Sequence, residues 1–375
     1  MRILLTCHVR FASAMAWYTF HLARGLLKHG HDVWLSAKKD SPLAVWASKE
    51  KIPGSHSCDY RSGSPMELWR SYRELAQTIA EFKPDVLNPH CPPGHTLLAL
   101  ANRGKLKLVR TVADPRPPKS YFVNRYLHKR MTNGMIYSTA SSLPRYDSVF
   151  NFAHTDEQVI LPGLDLSLFP QVEYRSFRKK LGIPEDALFA AIVARMSPEK
   201  GQELLIDALT LLPETTRSKI VVLLTGDDSK ERSAGDLEVL ARSKGVLDCL
   251  RFAGRQSDIR QLLNEIDLGI ITSIRSEAVC RIALEYMAYK KPIVSTDINI
   301  LPEVVKTGVN GWCVSAADPR AFALSLESAI HDRAILARLG HQGHTLLLNE
   351  FTLDKMTEST VSFYQRIIER HGRAN

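Results

Sequence analysis

The feature that most limits what this chain can fold into is an alternation that occurs twice. In the first half RILLTC, DVWLSA, DVLNPH and KLVRTV are apolar runs of strand length. Between them WYTFHLARGLLKHG and ELWRSYRELAQTIAEFK carry apolar residues at helical spacing. In the second half LFAAIVAR, KIVVLLTG, CLRFAG, DLGIITS and PIVST alternate with GQELLIDALTLLP, LEVLARSKG, SDIRQLLNEI and RIALEYMAYK. Strands separated by helices cross over to lie parallel, and a parallel sheet needs helices on both faces. The expectation is an α/β protein of two doubly wound domains facing a cleft, joined near residues 160–175. A length of 375 residues also exceeds what one core usually serves. Ligands of open α/β sheets bind beyond the carboxyl ends of the strands, so functional residues are expected in strand-to-helix loops.

Several such loops carry candidate residues. VARMSPEKGQELL places Arg195 and Lys200 between a buried strand and a helix that opens after Gly201, where backbone N–H groups lack intrahelical partners. Two cations beside a helix N-terminus suit an anion such as a diphosphate. The P-loop pattern G-x-x-x-x-G-K-[ST] is absent, and a proline-led turn with exposed cations is the alternative reading. LLTGDD ends a strand at Gly226, and CLRFAGRQSDI ends another at Gly254 before Arg255. There the main chain either meets the edge of a nucleobase or simply turns. In EAVCRIALE, Glu277 follows the strand DLGIITS and Glu285 lies eight residues on, about 80° around an ideal helix. Glu285 is flanked by Leu284, Tyr286 and Met287, and a carboxylate in such company must accept hydrogen bonds. Sugar hydroxyls are suitable donors; a structural role fits equally well.

Charge narrows the partners. The net charge of +9 lies wholly in residues 1–170, with 22 Lys+Arg against 13 Asp+Glu; residues 171–375 hold 27 of each. The excess is densest from Arg103 to Arg130, where nine basic residues face Asp114 alone. This run is either a solvated basic face or a surface for phosphorylated substrate, membrane lipid or, last of the three, nucleic acid, for which no motif accompanies it. No apolar run approaches the roughly 20 residues of a membrane span. MRILLTCHVRFASAMAW is too broken by polar residues for a signal peptide. The six cysteines form no C-x-x-C pair, so a reducing, cytoplasmic setting is expected.

Together VARMSPEKG, TGDD, RFAGR, SEAVCRIALEYMAYKKPIVST and EVVKTGVNGWCV resemble retaining glycosyltransferase family 4, whose fold is GT-B, two Rossmann-like domains facing a cleft. VILPGLDLSLF matches the family's inter-domain segment, with Gly163, Asp165 and Phe169 in place. FTLDKMTESTVSFYQRII resembles the C-terminal helix that usually crosses back to the first domain. The resemblance implies an acceptor-binding domain over residues 1–165, a nucleotide-sugar donor domain over 166–355 and a crossing helix over 356–375. It implies that Arg195 and Lys200 neutralise the donor diphosphate with no metal required. Glu277 would hold hydroxyls of the transferred sugar, and the backbone of Ala278, Val279, Cys280 and Arg281 would turn to the phosphates. Glu285 would bind the ribose, Gly226 would line the donor site and Arg255 would lie beside the base. The donor is a nucleotide-diphosphate sugar, a UDP-sugar being the first expectation. Retention comes with the family, and a front-face route through an oxocarbenium-like state is expected because no carboxylate nucleophile is evident.

The chain departs from the family pattern twice. Where members often carry a Gly-Gly loop after the first strand, RFASAMAW has Ala12, Ser13 and Ala14. Where many carry a histidine after a later strand, VRTVADPRPPK has Ala113, followed by Asp114. Asp114 is placed to meet acceptor or sugar hydroxyls with Arg110 or Arg116, or else only starts a turn before Pro115. His90 in NPHCPPGH is a further acceptor-side candidate, set against a structural role. VRTVADPRPPK is similar to bacterial members that glycosylate lipopolysaccharide or other surface polysaccharide. The expected protein is a hexosyltransferase acting on a glycan or lipid-linked acceptor, peripheral at the inner face of the cytoplasmic membrane. Two other readings stand beside it: a GT-B sugar-nucleotide epimerase or hydrolase, and an inactive homologue serving as a binding scaffold.

Overall fold

The computed structural model describes residues 1–56, 59–60, 62–114, 116–152, 155–170, 177–275 and 277–372. The chain divides into two compact units, residues 1–165 with 350–375, and residues 166–349. Both are parallel sheets clothed in helices, the α/β architecture that the alternation implies.

The first unit contains β1 (Arg2–Cys7), β2 (Asp32–Ala37), β3 (Gly54–Ser55), β4 (Val86–Pro89), β5 (Lys107–Val112), β6 (Gly134–Tyr137) and β7 (Asp156–Val159). They lie in the order β3-β2-β1-β4-β5-β6-β7, every pair parallel. β1 is buried from Ile3 to Cys7, as expected of a strand covered on both faces. Strand order reverses at β1, which pairs with β2 on one side and β4 on the other. The helix Ala14–Lys28 follows, its start fixed by the Ser13 hydroxyl accepting from Ala16 N.

The C-terminal segment belongs to this unit. Leu164 N donates to Phe351 O and Leu353 N to Leu164 O, so residues 162–165 are tied to the last helix, Leu353–Gly372. That helix buries Met356, Phe363, Tyr364 and Ile367 in the first unit, and the Tyr364 hydroxyl donates to Asn88 Oδ1 at 2.8 Å.

The second unit contains β8 (Leu188–Val193), β9 (Ile220–Thr225), β10 (Leu250–Ala253), β11 (Leu268–Ile271), β12 (Ile293–Thr296) and β13 (Gly311–Val314). Its order is β10-β9-β8-β11-β12-β13, again all parallel. The reversal falls at β8, which lies between β9 and β11. Loops leaving β8 and β11 therefore diverge to opposite faces and open a crevice between them, the place where such sheets bind ligands.

Strands β6, β7 and β13 and the helices Pro42–Lys49, Pro92–Asn102, Pro319–His331 and Arg333–Glu350 are additions to the sequence reading. β7 reads DEQV, an edge strand half-buried throughout, with no apolar run to signal it. The helix Pro92–Asn102 begins with two prolines, tolerated where the first N–H groups have no intrahelical acceptor. Within the expected junction near 160–175, residues 171–176 lie outside the described residues.

Candidate active site

The crevice of the second unit is built from the loops after β8 and β11. After β8 the chain makes a 3-10 turn at Pro198–Lys200 and then enters the helix Gln202–Thr210 through Gly201. Gly201 has φ +58°, and a Cβ there would lie 2.5 Å from Thr272 O, so both backbone angle and space demand glycine. The close approach allows the loops to be stitched together. Thr272 Oγ1 donates to Lys200 O at 2.7 Å, and Ile274 N donates to Glu199 O at 2.9 Å.

This stitching brings Lys200 and Glu277 into a direct ion pair, although 77 residues separate them. Ser273 joins them: its hydroxyl donates to Glu277 Oε1 at 2.5 Å and lies 3.5 Å from Lys200 Nζ. The buried Cys280 thiol lies near this carboxylate, and burial first and the Glu277 charge second push it well above the usual thiol range. Glu277 is 8% exposed. Its amide donates to Asn299 Oδ1 at 3.0 Å, from a residue held in the left-handed region at φ +51°. Burial alone would lower the Lys200 pKa, but the neighbouring Glu277 carboxylate outweighs it and holds the ammonium above the usual lysine range. Lys200 is therefore charged at neutral pH.

Ala278, Val279 and Cys280 are buried and lead into the helix Arg281–Ala288. Cys280 starts that helix at φ +44° with no side-chain cap, a left-handed conformation that costs a non-glycine residue about 1–2 kcal/mol. Glu285 lies just over one turn in. Its Oε1 pairs with Arg281 Nε at 2.9 Å, while Oε2 is buried without a partner among the described residues. Burial pushes the carboxyl up to about 7, only partly opposed by Arg281. Tyr286, next to it, is anchored to the sheet by its hydroxyl donating to Ala191 O at 2.8 Å.

The loops after β8 and β9 are joined as well, Met196 N donating to Asp227 O at 2.8 Å. Gly226 makes that approach possible, since a Cβ there would meet Ala194 O at 2.0 Å. Arg195 is exposed on the same loop, and its carbonyl accepts from Gln202 Nε2 at 2.9 Å. Arg255 follows β10 and is exposed, paired with Asp227 at 3.3 Å, an ion pair that is worth little in solvent. The structure thus assembles Lys200, Glu277 and Cys280 into one cluster, sets Glu285 with Arg281 in the following helix, and leaves Arg195 and Arg255 facing solvent. Ser273 and Asn299 are additions to the sequence reading. Ser273, two residues beyond β11, was visible in the strand-to-loop rule; Asn299 carries no local signal.

In the first unit Ala12, Ser13 and Ala14 lie where the chain leaves β1, and Ser13 serves as the helix cap. His90 and Arg110 are interior. His90 has no solvent exposure, and its Nε2 bonds to Asn88 Oδ1 at 2.8 Å. Burial and the nearby Arg110 charge push it well below the ordinary histidine range, so it is neutral. Arg110, within β5, donates to Pro89 O at 2.9 Å. Asp114 is held by Arg116 instead, through Nε to Oδ1 at 2.9 Å and Nη2 to Oδ2 at 2.5 Å. Burial raises the Asp114 pKa, but these bonds prevail and keep it below the usual carboxylate range.

The basic run from Arg103 to Arg130 is not one patch. Arg110 is buried, Arg103, Lys105 and Lys107 lie at the amino end of β5, and Arg116, Lys119 and Arg125 follow its carboxyl end, roughly 20 Å away along six residues, while Lys129 and Arg130 end the helical stretch that returns to Asn133, whose amide donates to Leu108 O back at the amino end. The second group surrounds Tyr121, Phe122, Val123 and Tyr126, all exposed, with Phe122 at 81%.

Residues 173–345 match the family model described as glycosyl transferases group 1, and residues 8–138 match one described as glycosyl transferase 4-like. The Bacillus subtilis (strain 168) protein assigned as glycosyltransferase EpsD is 25% identical over 97% of this chain and 98% of its own length. The lipopolysaccharide core biosynthesis glycosyltransferase LpsE of Rhizobium meliloti (strain 1021) is 32% identical over 48% of this chain, which spans about half of it, 51%. Among solved structures, HepE of Anabaena in complex with UDP superposes with a TM-score of 0.83 at 20% identity, covering 98% of this chain and 100% of that one, a likeness of fold. HepE has also been crystallised with UDP-glucose.

Proposed function

By its two domains the chain belongs to the glycosyl transferases group 1 and glycosyl transferase 4-like families and is a glycosyltransferase of GT-B type, and we propose that it moves a hexose, with retention, from a nucleotide-sugar to a glycan or lipid-linked acceptor of bacterial lipopolysaccharide or another surface polysaccharide. The observation that carries this reading is the Lys200–Ser273–Glu277 cluster at the crevice of the second sheet. Lys200 and Arg195 stabilise the charge that develops on the departing nucleoside diphosphate, so this reading requires no metal. Glu277 accepts from hydroxyls of the transferred sugar. Ribose hydroxyls satisfy Glu285 Oε2, and Arg255 lies beside the base. Because Glu277 is assigned to the sugar hydroxyls rather than to nucleophilic attack, the sugar passes by a front-face route. A UDP-sugar is the proposed donor, since HepE, of the same fold, has been crystallised with UDP-glucose. The lipopolysaccharide reading draws on LpsE.

On the acceptor side, residues 1–165 take the glycan, with Asp114 and Arg116 as its hydroxyl-binding pair. His90 and Arg110 are interior groups in this reading and support the loop from behind. The proposed location is the inner face of the cytoplasmic membrane. Exposed aromatics among cations at 116–130 support it, and no described helix is long and apolar enough to cross a bilayer.

Thermal melts with UDP, GDP and ADP and their sugar conjugates test the donor site. A nucleotide at 100 times its Kd adds about 2.7 kcal/mol, a rise of roughly 5–10 °C for a domain of this size. Transfer should fall at least about a hundredfold in Glu277→Ala, by the loss typical of one transition-state contact. Absence of stabilisation by every nucleotide sinks the proposal.

A further inference from the structure

We infer that Glu277 exchanges partners during the reaction cycle, Lys200 in the free site for sugar hydroxyls in the donor complex, and that this exchange disfavours the bare nucleoside diphosphate. The inference rests on the donor-site reading above and deepens it. Three observations carry it. First, Lys200 forms a direct ion pair with the Glu277 carboxylate, which neutralises it. Second, the carboxylate is the fixed partner. Its amide is held by Asn299, its carbonyl accepts from Ile300 N, and Ser273 is pinned by its own carbonyl accepting from Thr296 Oγ1 at 2.5 Å. Lys200, a compact charge on a flexible stem, is the partner able to move. Third, Glu277 is nearly buried, so it loses heavily when it loses its cation.

A diphosphate that draws Lys200 away leaves the Glu277 carboxylate with the Ser273 hydroxyl, beside a dianion. Sugar hydroxyls on that diphosphate donate to Glu277 and replace the lost ammonium. The same site therefore holds the sugar-bearing nucleotide without penalty and strains against the spent one, which aids product release. Ser273 is a positioning residue: it orients the carboxylate and bridges it to the ammonium in the free site.

Titration calorimetry on the full chain tests this, using UDP and UDP-glucose, or whichever of the GDP and ADP pairs binds. In Glu277→Gln, matched in shape but uncharged, Lys200 is released. The bare diphosphate should bind about tenfold tighter than to the natural chain, while the sugar nucleotide gains much less. An unchanged ratio between the two ligands, or weaker binding of the bare diphosphate, overturns the inference. Should Glu277→Gln fold poorly by circular dichroism, Glu277→Ala carries the same expectation. Ser273→Ala leaves both charges, so it should lower kcat while bare-diphosphate affinity stays within about twofold, and Ser273→Thr should restore kcat. A Ser273→Ala chain with unaltered kcat removes the positioning role. If no nucleotide binds the natural chain, the donor-site reading falls with this one. If nucleotides bind and the ratio is unmoved, only the exchange falls.

Discussion

Glu277 draws on Lys200 and Ser273, whereas Glu285, eight residues on, has one oxygen on Arg281 and another with no partner among the described residues. The difference has a consequence in pH. Burial pushes the Glu285 carboxyl up to about 7 in the folded chain, against about 4.5 for an ordinary glutamate. The folded state thus holds this proton more tightly than the unfolded one, and the stability gained is full below about pH 4.5 and lost as pH rises through 7. Glu285→Gln lacks this dependence. Relative to the natural chain, its stability should improve by about 3 kcal/mol between pH 4.5 and 8, measured by urea melts at both values. A difference independent of pH shows that the carboxyl is not desolvated. Ribose hydroxyls would favour the ionised form, so nucleotide affinity should also rise with pH toward 7 in the natural chain and stay flat in the variant.

Among elements, the segment from Arg116 to Arg130 shows how a linear reading and a folded one differ. The sequence presents nine cations as one run, and the sheet divides them between its two ends with Arg110 inside. Periodicity could not expose that division, because it depends on β5 running straight through the run. Leu127 and His128 anchor the segment, His128 stacking on Phe150, and Tyr121, Phe122, Val123 and Tyr126 are left outside. If it docks on anionic lipid, each cation near the surface contributes about 1 kcal/mol, and burying the Phe122 ring adds about 1.5–3 kcal/mol. Phe122→Ser should therefore cut co-sedimentation with phosphatidylglycerol vesicles about tenfold or more without moving the melting temperature, since the ring packs against little. Binding of the natural chain that ignores both salt and anionic lipid rules the surface out.

For the whole molecule, the last helix matters most. The sequence reading assigned residues 356–375 to a crossing helix, and the structure unites residues 350–375 with the first unit. Met356, Phe363, Tyr364 and Ile367 are each almost fully buried there. At about 1.5–3 kcal/mol for each large apolar side chain, their loss approaches the whole stability of a domain. A chain ending at residue 349 should leave its first domain without a cooperative melt while the second melts normally. Residues 1–165 joined by a flexible linker to 350–375 should recover the transition in calorimetry. A cooperative first domain without the helix contradicts this account.

The sequence by itself determined the elements around the site, the parallel sense of both sheets and the position of Arg195, Lys200, Glu277 and Glu285 in or just after strand-to-helix loops. These follow from local periodicity and glycine placement, which act over a few residues. Tertiary structure alone decided that Lys200 would meet Glu277, that Ser273 and Asn299 would hold the carboxylate, and that His90 and Arg110 would be interior. The reason is strand order. β8 lies beside β11, with two intervening strands displaced to its other side, and nothing in the local pattern of either strand specifies that neighbour. Burial and charge pairing are set by that neighbour, so the chemistry of Glu277 became legible only once the sheet was assembled.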